Sequence, residues 1–258
     1  MPNKYTYPDS EVLRNSFDLR DPIAAHTMET RLAFARVTQL IQNPVQGNFD
    51  LDHLLEINRR TLQDMYPWAG RLRDIDTGTM TTGLVHCRPQ FLQAEADRIF
   101  GAIKADDYLR GMSDEQFADR LAEHWGELTA LHPALDGNTR SQRVFVDQLT
   151  RAADRSIDWT AVNQNIEHFK HARLLAHAGQ TGPLRDALSS VLRPGADRMD
   201  GPAVAGPAVD PAVQRAAMAG VAEPTGIRAP QEQGGKQSGG RRSGPTTPGL
   251  SKPESPER

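Results

Sequence analysis

From Pro22 to Leu192 the apolar residues of this chain recur every three or four positions, a period that commits most of the sequence to α-helix. Asp21 ahead of Pro22 offers an N-cap with proline at the first helical position, and Ile23, Leu32, Phe34, Val37, Leu40 and Ile41 fall on or near one face. Asp50 opens a second helix with Leu51, Leu54, Leu55, Ile57 and Leu62 as its stripe, and Pro89 a third through Phe91, Leu92, Ile99 and Phe100. Ser113 with Gln116 three residues on forms a capping box for a fourth, which carries Phe117, Leu121, Trp125, Leu128 and Leu131. A fifth begins about Gly137 and runs through Val144, Phe145, Leu149 and Ala152; two more cover about Thr160 to Ala178 and Pro183 to Leu192. The period fails between Arg71 and Arg88, where Gly78 and Gly83 surround a Thr-rich middle, and there a short β-hairpin is expected.

Near Arg193 the composition shifts. From Pro194 onward roughly one residue in three is Gly or Pro and aromatics are absent, so that stretch cannot cover a core. The expected organisation is one all-α domain over residues 1–193 with a small β-hairpin flap, then a disordered tail over 194–258, with Pro211 to Gly220 the one place for a transient helical turn.

A net charge of -3 argues against a broad nucleic-acid surface or an anionic-membrane partner. A single cysteine, Cys87, rules out an internal disulfide or a Cys-based zinc cluster and suits a reducing compartment. No signal-peptide core or membrane-spanning run is visible, so a cytoplasmic location is expected.

The chemistry concentrates where the fourth helix gives way to the fifth. His132-Pro133 ends one helix, and Gly137-Asn138-Thr139-Arg140 begins the next. First-turn amides and the helix dipole make an anion site, and Gly137 permits close backbone approach to a phosphate. Arg140 and Arg143, three apart, are placed to clamp a polyphosphate, although a solvated helix face is the plain alternative. Asp136 suits a magnesium ion shared with phosphate oxygens, and His132 suits a general base. Together these residues point to transfer from a nucleotide.

The run His132-Pro133-Ala134-Leu135-Asp136-Gly137-Asn138-Thr139-Arg140-Ser141-Gln142-Arg143 resembles the Fic family signature His-Pro-Phe-x-(Asp/Glu)-Gly-Asn-Gly-Arg-x-x-Arg, departing from it at Ala134 and Thr139. Tyr66-Pro67-Trp68-Ala69-Gly70-Arg71-Leu72-Arg73 is similar to the family's segment before the flap. The resemblance implies a Fic-type helical bundle that transfers AMP from Mg2+-bound ATP to a Ser, Thr or Tyr hydroxyl of a target protein. It implies His132 as base, Asp136 on magnesium, and Gly137, Asn138, Thr139, Arg140 and Arg143 on the nucleotide. The flap, Thr79, Met80, Thr81, Thr82, Gly83, Leu84, Val85 and His86, would align the target by strand pairing.

Relatives are commonly silenced by a helix carrying Ser/Thr-x-x-x-Glu-Gly/Asn. No glutamate here is followed by Gly or Asn, so a small separate antitoxin whose glutamate reaches Arg143 is expected. The resemblance further implies a bacterial toxin whose targets are type II topoisomerase subunits, gyrase B or its topoisomerase IV counterpart. The alternatives are an exported effector acting on host small GTPases and a degenerate fold that only binds a partner. Four other features read plainly: His168 and His171 as surface histidines without further ligands, and His86 with Cys87 as strand residues. Trp68, Trp125 and Trp159 read as core aromatics, and Arg241-Arg242 as solubilising charge or part of an export signal.

Overall fold

Helix starts follow the capping chemistry. The Asp21 carboxylate accepts the Ala24 N–H (2.8 Å) at the head of α1 (Pro22–Gln42), and Asp50 accepts from His53 (2.9 Å) at the head of α2 (Leu51–Leu62). At Ser113 both bonds of the capping box form before α4 (Asp114–Leu131). The computed structural model describes residues 4–79, 83–195 and 226–227. Pro89–Phe91 is a 3-10 turn leading into α3 (Leu92–Ala105), and α5 (Asn138–Ala152) follows the His132 turn. The helix expected over 160–178 is two helices, α6 (Trp159–Gln164) and α7 (Ile166–His177), broken at Asn165; α8 (Gly182–Val191) closes the bundle.

The main core forms where α4 packs on α7 and α8 and α2 packs on α5. Phe117, Trp125 and Phe145 are completely enclosed there, each such side chain contributing about 1.5–3 kcal/mol through burial. A second cluster, Tyr7, Val12, Leu62, Met65 and Tyr66, fastens the N-terminal segment to the end of α2. In α1 the buried row is Ala25, Glu29, Ala33, Val37 and Leu40. Ile23 and Phe34, expected on the inner face, lie off that four-residue row and are exposed; the row runs instead through a glutamate.

Two small antiparallel pairs complete the fold. β2 (Arg155–Ile157) pairs with β3 (Leu192–Pro194), and the Gly195 N–H reaches the Asp154 carbonyl (2.8 Å). Backbone pairing thus extends through Gly195. β1 (Thr77–Gly78) pairs with β4 (Gly226–Ile227). The segment Pro211 to Gly220 and the Arg241-Arg242 pair lie outside the described residues. The flap folds back as expected: Gly78 bridges Val85, Thr79 donates to Leu84 (2.8 Å), and His86 donates to Thr77 (3.1 Å). Met80, Thr81 and Thr82 lie outside the described residues.

Candidate active site

His132 caps α4 in the left-handed region (φ 44°, ψ 61°), so the chain turns sharply at the proposed base and Pro133 prevents further helix. The loop that follows is tied by side-chain amides. Asn138 accepts the Ala134 N–H (3.0 Å) and donates to the Ala134 carbonyl (2.7 Å). Asn58 of α2 donates to the Asp136 carbonyl (2.8 Å) and the Ser141 hydroxyl (3.1 Å), while its own carbonyl accepts from Gly70 (2.9 Å). Ala134, where the family signature has Phe, is buried and bridged to Leu72, so this loop is held by hydrogen bonds. At Gly137 (φ +75°) a Cβ would lie 2.6 Å from Leu62 Cδ1 and 3.1 Å from Asn58 Nδ2. Both the backbone angle and the space exclude a side chain there.

Arg73, 2% exposed, anchors the same turn from beneath. Its guanidinium donates to the carbonyls of His132 (2.7 Å), Leu131 (3.3 Å) and Ile75 (2.8 Å), and also to that of Cys87. One side chain thus joins the end of α4 to the base of the flap.

A cleft enclosing about 630 Å³ of space, open water at its mouth included, lies between this turn, the flap and α7. His132, Thr139 and Arg143 face it with Thr79 and His86 of the flap; Phe169, Lys170 and Arg173 face it from α7. The first-turn N–H groups of Asn138, Thr139 and Arg140 take no acceptor among the described residues, as the start of a helix dictates. Arg143 lies over the Trp159 ring (5.0 Å), and burial together with the Arg173 charge brings its guanidinium down to about 9.

Arg140 goes elsewhere. It does not line the cleft but turns toward α1, where it pairs with Glu29; Tyr66 donates its hydroxyl to the other Glu29 oxygen (2.7 Å). Successive arginines three apart on a helix lie in neighbouring rows, and here the rows face different elements. The Asn138 side chain is likewise committed to Ala134, which leaves its backbone N–H to face an anion. Asp136 accepts the Gly137 N–H (2.5 Å) through Oδ1 and lies 3.9 Å from Arg140. Burial, with the Glu29 charge, pushes the Asp136 carboxyl up to about 6, opposed by Arg140.

His132 is 7% exposed, and neither ring nitrogen has a partner among the described residues. Burial first, then the neighbouring His86 and Arg73, hold its pKa well below the ordinary imidazole value. The base is therefore neutral at physiological pH.

The remaining sequence candidates fall as follows. His168 and His171 are exposed, and among the described residues no group of three His, Cys, Asp or Glu is placed to hold a metal by itself. Asp136 fits magnesium only as one carboxylate beside substrate phosphates, which is how that cation is commonly bound. Burial pushes the Cys87 thiol up, away from nucleophilic use. Trp125 and Trp159 are buried and Trp68 stacks on Tyr66. Glu29, Asn58, Arg73, Lys170 and Arg173 were not anticipated. The one signal for Glu29 is an acid within an otherwise apolar row at four-residue spacing.

A base on a left-handed turn, an anion-binding helix start and a flap, all carried on a helical bundle, define a Fic-type protein. The chain belongs to the Fic/DOC family, whose domain matches residues 48–150. It is 32% identical over 179 residues to the probable protein adenylyltransferase y4lH of Sinorhizobium fredii, an alignment covering 69% of this chain and 90% of that protein. It is 30% identical over 189 residues to the protein adenylyltransferase VbhT of Bartonella schoenbuchensis, covering 73% of this chain but only 38% of VbhT. Among solved structures, BepC of Bartonella tribocorum with bound AMPPNP superposes with TM-score 0.65 at 21% identity, over 74% of this chain and 97% of that one. The Fic domain of a Bartonella quintana effector with bound ADP gives 0.66 at 23% identity, over 74% and 95%. At these identities the structural likeness shows the shared fold.

Proposed function

We propose that this chain is a protein adenylyltransferase that moves AMP from ATP to a Ser, Thr or Tyr hydroxyl of a target protein. The observation that carries the reading is the convergence of a neutral His132, the first-turn amides of α5 and Arg143 on one cleft. His132 takes the hydroxyl proton as the target oxygen bonds to the α-phosphorus, and the bond to the leaving pyrophosphate breaks. The amides of Asn138, Thr139 and Arg140 hold phosphate oxygens, and Arg143 offsets the charge gathered on the leaving group. Magnesium, held by Asp136 with the phosphates, would screen that charge. Arg140 contributes by holding the loop through Glu29, without touching the nucleotide.

The finer reading is a bacterial toxin acting on a type II topoisomerase subunit and restrained by a separate antitoxin. The restraint by a partner is supported by the sequence, in which no glutamate is followed by Gly or Asn as in the family's inhibitory helix. A restraining glutamate would then come from a partner. Incubation of the chain and a bacterial lysate with α-labelled or γ-labelled ATP tests the reaction: label from the α position alone is expected, and it should vanish in His132→Ala. Label from the γ position would identify phosphotransfer instead. Expression of the chain alone and together with any small open reading frame found beside its gene tests the restraint, with growth arrest expected in the first case and its relief in the second.

A further inference from the structure

The base of this site is oriented through its ring face. With both His132 nitrogens lacking partners, no hydrogen bond from another side chain fixes the ring. What meets it is the His86 ring of the flap, parallel within 3° at a centroid distance of 3.7 Å. His86 is itself fixed. Its Nδ1 is hydrogen bonded to the Thr77 hydroxyl (2.8 Å), and its backbone N–H donates to the Thr77 carbonyl (3.1 Å). His177, at the end of α7, stacks near it at 5.3 Å and donates Nε2–H to the Val85 carbonyl (3.2 Å). A line of restraint therefore runs from α7 and β1 through the flap to the face of His132.

We propose that His86 is a positioning residue for the base, holding the His132 imidazole plane by face-to-face stacking while leaving both of its nitrogens free for the proton transfer. A base oriented by a hydrogen bond at one nitrogen keeps only the other for chemistry; a base oriented through its π-face keeps both. The groups facing His132, namely His86, His177, Arg73 and Arg173, are all basic and come from the flap, α7 and the segment before β1. A stack of neutral rings is the form compatible with them, and burial takes the His86 pKa down to about 3.

This inference rests on the adenylyl-transfer reading for its kinetic arm but not for its spectroscopic one. In the full chain, His86→Ala is expected to lower the rate of α-label transfer at saturating ATP roughly tenfold, with the half-saturating ATP concentration unchanged. His86→Phe, which restores a flat ring, is expected to recover most of that loss. Independently of turnover, the His132 ring protons should lose their ring-current shift in His86→Ala and regain one in His86→Phe. A rate within twofold of the parent in His86→Ala, no advantage of Phe over Ala, or unchanged His132 ring resonances would overturn the proposal. If the parent chain transfers no label, the functional reading fails while the resonance test still decides the positioning role.

Discussion

Replacing Glu29 with alanine tests the buried pairing behind the phosphate loop. The Glu29 and Arg140 side chains are 10% and 4% exposed, and Glu29 also accepts the Tyr66 hydroxyl. Truncation leaves a buried guanidinium with Asp136 Oδ1, 3.9 Å away, as its only nearby acid among the described residues. Breaking a buried pair from one side costs about 3–5 kcal/mol. For a domain of this size that corresponds to a melting temperature roughly 6–20 °C lower. Thermal and urea unfolding followed by circular dichroism, at pH 7.5 and moderate salt, would measure it. Arg140→Met placed on Glu29→Leu should recover much of the loss, since two apolar side chains leave no stranded charge. A loss below about 1 kcal/mol for Glu29→Ala, or strictly additive single and double variants, would refute the claim that this pair holds the loop.

Three further outcomes are expected. Gly137→Ala forces a Cβ against Leu62 and a left-handed angle costing about 1–2 kcal/mol, so both stability and ATP binding should fall, read by melting and by calorimetric titration. His132→Asn should abolish transfer while melting close to the parent, because Asn tolerates the left-handed turn; a substantial drop in melting temperature would mean that the ring itself supports the fold. Stability should fall with acid. His86 and His132 have folded pKa values depressed below the unfolded value of about 6.5, so the unfolded chain binds more protons in that window. The contribution is complete above about pH 6.5 and declines in acid; for His86, whose folded value is about 3, the loss is about 2 kcal/mol by pH 5, and His132 adds to it in the same direction. Equal urea midpoints at pH 7.5 and 5 would contradict this.

Much of this architecture was legible because its signals are local. A Ser113-Gln116 box or an Asp21-Pro22 start is decided within one turn of chain, and each appears in the structure where the sequence placed it. The run from His132 to Arg143 was legible for the same reason. The long-range partners were not. Nothing near Arg73 says that it reaches four carbonyls from three segments, since backbone acceptors carry no sequence identity. Spacing alone placed Arg140 and Arg143 on one ligand, whereas the acid that diverts Arg140 is 111 residues away. Likewise His86 read as a strand residue, whereas it lies just past the Val85 bridge with its N–H on the Thr77 carbonyl, and its stacking on His132 joins segments 46 residues apart that no local pattern connects.

The carbonyls left over at the end of a helix gather partial negative charge, which ordinarily favours a protonated imidazole at that position. At the end of α4, Arg73 takes up those of Leu131 and His132, so its fixed positive charge sits on the very oxygens that would otherwise have stabilised an imidazolium. Reversing the sign of that local field lets a helix terminus carry a proton acceptor. Any redesign that moved this histidine to another helix end would need to bring a similar cation with it.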